Sequence, residues 1–276
     1  MMKNMARQKP TIKMAAVCLL GLILIIAWML RGPNQNQILK SKLDVFINHK
    51  INKKKINSKG EYLPFYGYTI IAKCRENQGL EKLKDFIQTS SLRMYFSPLP
   101  VSSYHMTIYD VWSVSKRPVI APVQKWMDEH GITKIDNSKL LPPDAMRETL
   151  QRAQKLAQEM LPKSIKVRPK MDPYGRPIRI LESMLVEIME EKDQKMVDKF
   201  RDTCSEIFGH KDERLIGRLH ITLVYQYRKV PPQEIDAISN DLQKLEDLAM
   251  KLFPIELDQG DLVTFNDMTE FTTYRL

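Results

Sequence analysis

Apolar and polar positions divide this chain into three parts. Residues 14–30 (MAAVCLLGLILIIAWML) form an apolar run with no charge and no proline. At about 1.5 Å per helical residue, such a run is near the lower limit for crossing a hydrocarbon core. The polar, helix-breaking RGPNQNQ follows it, so residues 14–30 are expected to form an uncleaved transmembrane anchor behind a basic tail, residues 1–13. A cleaved signal peptide is the rival, but no small-x-small site precedes Arg31. Residues 31–60 are polar and basic and are expected to be a tether with only a weak helical pattern. From Glu61 onward, period-2 and period-3.6 patterns alternate. Strands are expected at 65–73, 91–98, 103–112, 164–169, 179–189 and 218–227, with closing strands near PIEL and DLVTF. Helices are expected near 80–89, after Pro142 and Pro143 to about residue 161, at 193–209 and at 231–253. Without strict β-α-β alternation, residues 61–276 predict one α+β domain with mainly antiparallel sheets.

The segment RLHITLVYQY (218–227) carries a polar pair on an otherwise apolar strand. A strand sends residues i and i+2 to one face, so His220 and Thr222 stand side by side while Leu219, Ile221 and Leu223 face the core. The same figure occurs in SSYHMTIYDV, where His105 and Thr107 share one face and Met106 and Ile108 the other. One such pair carries no information, and the plain structural alternative is two buried, hydrogen-bonded histidines. Two pairs among only five histidines, each in its own strand, favour a site. Tyr109 falls on the His105 face if the strand stays regular, Tyr68 lies on the neighbouring strand, and Arg218 shares the His220 face. These three are weaker candidates, because half-buried strand tyrosines are mostly structural and a strand-end arginine is mostly solvated. Tyr225 falls on the core parity. His49, His130 and His210 are assigned no role.

Together with YLPFYGYTII before the first pair and VTFNDMTEF at the close, the two pairs resemble the signature of the two-histidine (2H) phosphoesterases. That superfamily includes RNA 2',3'-cyclic phosphodiesterases, and the chain is most similar to one of its uncharacterised branches. The resemblance runs from about Glu61 to Tyr274. It implies a bilobal duplication in which His105 and His220 are the catalytic acid and base and Thr107 and Thr222 hold the substrate phosphate, with no metal and no cofactor. The chemistry suits these residues. A cyclic phosphodiester needs a base for the attacking water, an acid for the departing sugar oxygen, and donors for the remaining phosphate oxygens. Histidine, with a pKa of about 6.5, serves in either protonation state near neutrality.

Charge refines the expected partner. The formal net charge is +10, yet residues 1–60 hold twelve Lys and Arg against Asp44 alone, leaving residues 61–276 close to neutral. A near-neutral domain points away from long RNA, whose binding needs many phosphate contacts, and towards a nucleotide or an RNA end as substrate. The basic run beside an anchor suits anionic lipid headgroups. The expected location is therefore a single-pass membrane protein, most simply of the endomembrane system, with its domain on an unassigned side and no obligate protein partner. Cys18 lies in the apolar run, and Cys74 and Cys204 make no disulfide framework. Metal-ligand spacing, a phosphate-cradling glycine loop and a serine nucleophile motif are all missing from the sequence. The alternative function is a non-catalytic nucleotide- or phosphate-binding protein, or an adaptor whose pocket is closed by the 118–161 insert.

Overall fold

The computed structural model describes residues 50–76, 78–115, 119–173, 175–211 and 217–275. The expected basic tail, the anchor at 14–30 and the tether up to residue 49 lie outside the described residues. Among the described residues no helix is long and apolar enough to cross a membrane.

In chain order the elements are β1 (Gly67–Lys73), α1 (Glu81–Thr89), β2 (Phe96–Pro98), β3 (His105–Ser113), α2 (Ala121–Glu129), α3 (Arg147–Met160), β4 (Ser164–Pro169), β5 (Ser183–Ile188), α4 (Glu191–Phe208), β6 (His220–Thr222), β7 (Val224–Gln226), α5 (Ile235–Met250), β8 (Ile255–Asp258), β9 (Asp261–Phe265) and β10 (Thr272–Thr273). Eight strands form one sheet in the order β10-β9-β1-β3-β6-β5-β4-β8, and β2 and β7 form a separate ribbon. All these pairings are antiparallel, so the architecture is α+β. The sheet curls: its edge strand β8 reaches the end of β1 through a Cys74–Leu257 bridge, and the Arg75 amide donates to the Glu256 carbonyl at 3.0 Å.

The two closing strands serve different parts of the sheet: β8 pairs with β4 while β9 returns to β1. The reason lies in β1, whose residues Gly67 to Ala72 are all buried, so both of its edges need partners. The 218–227 segment is not one strand. It breaks at Leu223, whose amide donates to the Glu182 carbonyl and whose carbonyl accepts from the Leu99 amide, both at 2.9 Å. Up to Thr222 it belongs to the large sheet, and from Val224 it belongs to the ribbon. Leu223 and Val224 are both buried, so the parity inverts and Tyr225 leaves the core side expected for it.

Helices α3 and α4 pack against each other, α3 also against β9 and α4 also against β3 and β5. Their buried stripes, Leu150, Ala153 and Ala157 on α3 and Val197, Phe200, Cys204 and Phe208 on α4, follow helical spacing. Gly209 ends α4 at φ 63°, a left-handed cap that glycine adopts without strain. Cys74 and Cys204 are free thiols, and burial pushes both up to about 12. Residues 51–60, read from the sequence as the end of the tether, pack onto the domain: Ile56 is fully buried and bridges to Tyr62, and the Leu63 amide donates to the Lys55 carbonyl at 2.9 Å.

Candidate active site

Strands β3 and β6 are neighbours at the centre of the large sheet, with Met106 opposite Ile221. In an antiparallel pair, stepping one residue to either side puts His105 opposite Thr222 and Thr107 opposite His220. Directly opposed side chains have Cβ atoms about 4.5–5.5 Å apart. Met106 and Ile221 are fully buried on one face, so the four polar side chains share the other. The two histidine–threonine pairs thus meet around a local two-fold relation between neighbouring strands.

The weaker candidates lie elsewhere. The β1–β3 register slips between Tyr68 and Thr69 and again between Ile70 and Ile71. Each slip inserts an extra residue into β3 and exchanges its faces beyond that point. The residues of β3 that line the histidine cavity are consequently His105, Thr107, Asp110 and Ser113. Tyr109 pairs with Ile70 and turns to the opposite face, where it stacks on Phe208 with centroids 5.6 Å apart and donates its hydroxyl to the His210 carbonyl at 2.5 Å. It borders a different cavity, of about 470 Å³. Tyr68 pairs with Trp112, is fully buried and donates to the Leu141 carbonyl at 2.7 Å. The Arg218 side chain is exposed and does not line the histidine cavity; its contribution is its backbone carbonyl.

Both imidazoles are held in the same way. Nδ1 of His105 lies 2.6 Å from the carbonyl of Ser103, and Nδ1 of His220 lies 2.9 Å from that of Arg218, each two residues back. A carbonyl only accepts, so the neutral rings carry their proton on Nδ1 and present the lone pair of Nε2. The Val101–Ser103 3-10 turn sets the first of these carbonyls, and the Phe271 ring packs on His105 at 4.3 Å between centroids. His105 is 9% exposed, and burial lowers its pKa to about 4. Burial also lowers that of the half-buried His220. Neighbouring cations add to both effects, Lys55 and Lys73 at His105, Arg179 and Lys55 at His220. Both rings are therefore neutral near pH 7, and an anion placed beside them would favour protonating them again.

Residues 55–128 match a 2H-phosphodiesterase-like family described as a domain of unknown function (DUF1868). Uncharacterized protein 127L of Invertebrate iridescent virus 6 is 30% identical to this chain over 228 residues, which is 79% of this chain and 93% of that protein. The chain belongs to the two-histidine phosphoesterase-like superfamily. The crystal structure of a conserved protein of unknown function from Agrobacterium tumefaciens str. C58 has the same fold, with a TM-score of 0.63 at 18% identity over 84% of this chain and 97% of its own.

In this 2H scaffold the histidines open onto a cavity of about 310 Å³, the size at which small-molecule sites begin. Its lining includes His105, Thr107 and His220, but Thr222 does not border it. Its polar lining includes Thr69, Asp110 and Ser113, and its apolar lining Phe65, Phe265 and Phe271. Phe65 and Phe265 stack at 6.0 Å, and Phe265 meets Phe271 at 5.4 Å. Gly67 permits this wall: a Cβ there would lie 2.5 Å from the Trp112 carbonyl oxygen and against the Phe265 ring. No described residue of the 118–161 insert lines the cavity, so the closure expected of an adaptor is not seen among them. Among the described residues no three His, Cys, Asp or Glu side chains are grouped to hold a metal ion. Lys55, Asp110, Ser113 and Phe271 were not anticipated from the sequence. Phe271 closes the VTFNDMTEF stretch, which was a signal to look there; Asp110 enters only through a slip in register, and a second slip returns Ser113 to the face that regular alternation gives it.

Proposed function

We propose that this domain is a metal-independent phosphodiesterase that hydrolyses a cyclic phosphate, or another phosphodiester, of a nucleotide or RNA end. The observation that supports it is the matched pair of imidazoles, each fixed through Nδ1 by a backbone carbonyl, each standing across the strand pair from a threonine on the same face. The neutral imidazole takes a proton from water as the water oxygen bonds to phosphorus. The opposite imidazolium gives its proton to the sugar oxygen as the old P–O bond breaks. One proton is taken up and one released, so the pair is reset by exchange with solvent. Thr107, which lines the cavity, donates to the oxygens that take no part in the displacement, where charge builds up in the transition state, while Thr222, outside the lining, stands across the strand pair from His105. His105, the more deeply buried ring, is assigned as base, and His220 as acid.

The expected pH dependence follows from the lowered pKa values. A base becomes competent as pH rises through its pKa, and an acid is lost as pH rises through its own. With the base near 4 and the acid below about 6.5 in the free protein, kcat/KM for a nucleoside 2',3'-cyclic phosphate should follow a bell on the acid side of neutrality. The kcat profile should lie at higher pH, because the bound anion favours the imidazolium. A kcat/KM optimum above pH 7 would contradict the proposal.

The apolar run at 14–30 extends the proposal to location: a span holds the domain at a membrane surface, with the adjoining basic residues against anionic headgroups. The full chain should stay with membranes through carbonate and high-salt washing. Release by salt alone would leave only the basic patch as attachment.

A further inference from the structure

Resting on the phosphodiesterase reading above, we propose that Lys55 is the phosphate-binding cation of this site, delivered by the segment that precedes β1. Its side chain lines the cavity together with His105, Thr107 and His220. The ammonium sits over two rings, 4.7 Å from the Phe65 centroid and 5.3 Å from that of Tyr225, and donates to the Tyr225 hydroxyl at 3.2 Å. Among the described residues no carboxylate pairs with it. Its neighbours Lys53 and Lys54 are exposed, whereas Lys55 is half-buried between the fully buried Ile56 and the turn its carbonyl closes with Leu63. A half-buried ammonium with no carboxylate partner among the described residues, held by aromatic faces in the lining of a cavity, has an anion as its natural partner.

Of the cations near the two rings, Lys55 is the one that shares their cavity lining. Lys73 donates to the Phe271 carbonyl at 2.7 Å and acts on His105; Arg179 donates to the Ser183 carbonyl at 2.9 Å and acts on His220; Lys55 acts on both rings. Among the described residues Asp110 is the carboxylate that lines the same cavity. Lys55 therefore opposes protonation of either imidazole until an anion arrives. A phosphate bound between them cancels that opposition, which makes the acid form of the pair conditional on substrate.

The test uses the full chain with Lys55→Met, which keeps the aliphatic stem, and Lys55→Arg, which keeps the charge. Inorganic phosphate affinity is measured by calorimetry, and kcat/KM for nucleoside 2',3'-cyclic phosphates across pH. Lys55→Met should weaken phosphate binding about 10- to 100-fold, the range of a hydrogen bond to a charged group. It should also move both limbs of the pH profile upward, since the cation no longer opposes protonation; Lys55→Arg should restore most of the affinity and both limbs. A purely structural lysine would leave the limbs where they are. Unchanged phosphate affinity in Lys55→Met, or no phosphate binding by the wild type, overturns the proposal. A wild type that binds phosphate and loses it in Lys55→Met, yet hydrolyses no phosphodiester, upholds Lys55 and overturns the hydrolase instead.

Discussion

Alanine at His105 or at His220 is expected to lower turnover by about 10²- to 10⁴-fold, the usual contribution of a positioned proton-transfer group. In the proposed mechanism each ring moves its proton in the transition state, so the effect should fall on kcat, whereas Thr107 and Lys55 still hold the phosphate. Substrate affinity should stay within a few-fold. The two rings act as one unit on a single displacement, so the double variant should be little worse than either single one. Equal losses spread between kcat and KM would instead describe two binding histidines. Steady-state kinetics on the two single variants and the double variant separate these cases.

A comparably large effect, on stability, is expected in the segment that precedes β1. Ile56→Ala should cost about 2–5 kcal/mol of stability, the range for truncating a fully buried isoleucine. Ile56 has no exposed surface and anchors a segment that is tied to the domain twice more, by the Tyr62 hydroxyl to the Ser97 carbonyl at 2.7 Å and by the Ser97 hydroxyl to the Gly60 carbonyl at 2.8 Å. Losing that anchor also frees the residue beside it, Lys55. Denaturant unfolding of the full chain measures the loss, and a change under about 0.5 kcal/mol, typical of a surface site, would mean the segment is not part of the core. A chain begun at Glu61 lacks both residues and should be less stable and less active than the full chain.

The parts of this molecule that were legible in the sequence are those governed by local periodicity. His105 and Thr107, and His220 and Thr222, share a face because two residues of regular strand suffice to bring them together. Strand β4 carries its alternation openly, with Ile165, Val167 and Pro169 buried between more exposed neighbours. Parity failed where the backbone departed from regularity without a compositional mark. The slip that turned Tyr109 away adds Ile108 and the next adds Val111, both ordinary strand residues, and the break at Leu223 involves neither glycine nor proline. Pairing partners distant in sequence left no trace either: nothing local sets β6 beside β3 or returns β9 to β1. Lys55 stood in a run of lysines that resembles a solvated linker, and only the folded chain separates it from Lys53 and Lys54.

The most direct measurement is hydrolysis of a panel of nucleoside 2',3'-cyclic phosphates by the full chain in excess chelator, alongside His105→Ala and His220→Ala. In the proposed mechanism two histidines supply both proton transfers, so at least one member should open to a nucleoside monophosphate at a rate the chelator leaves unchanged, with product formation falling at least a hundredfold in each variant. Turnover abolished by the chelator, or turnover intact in both variants, would contradict the two-histidine mechanism.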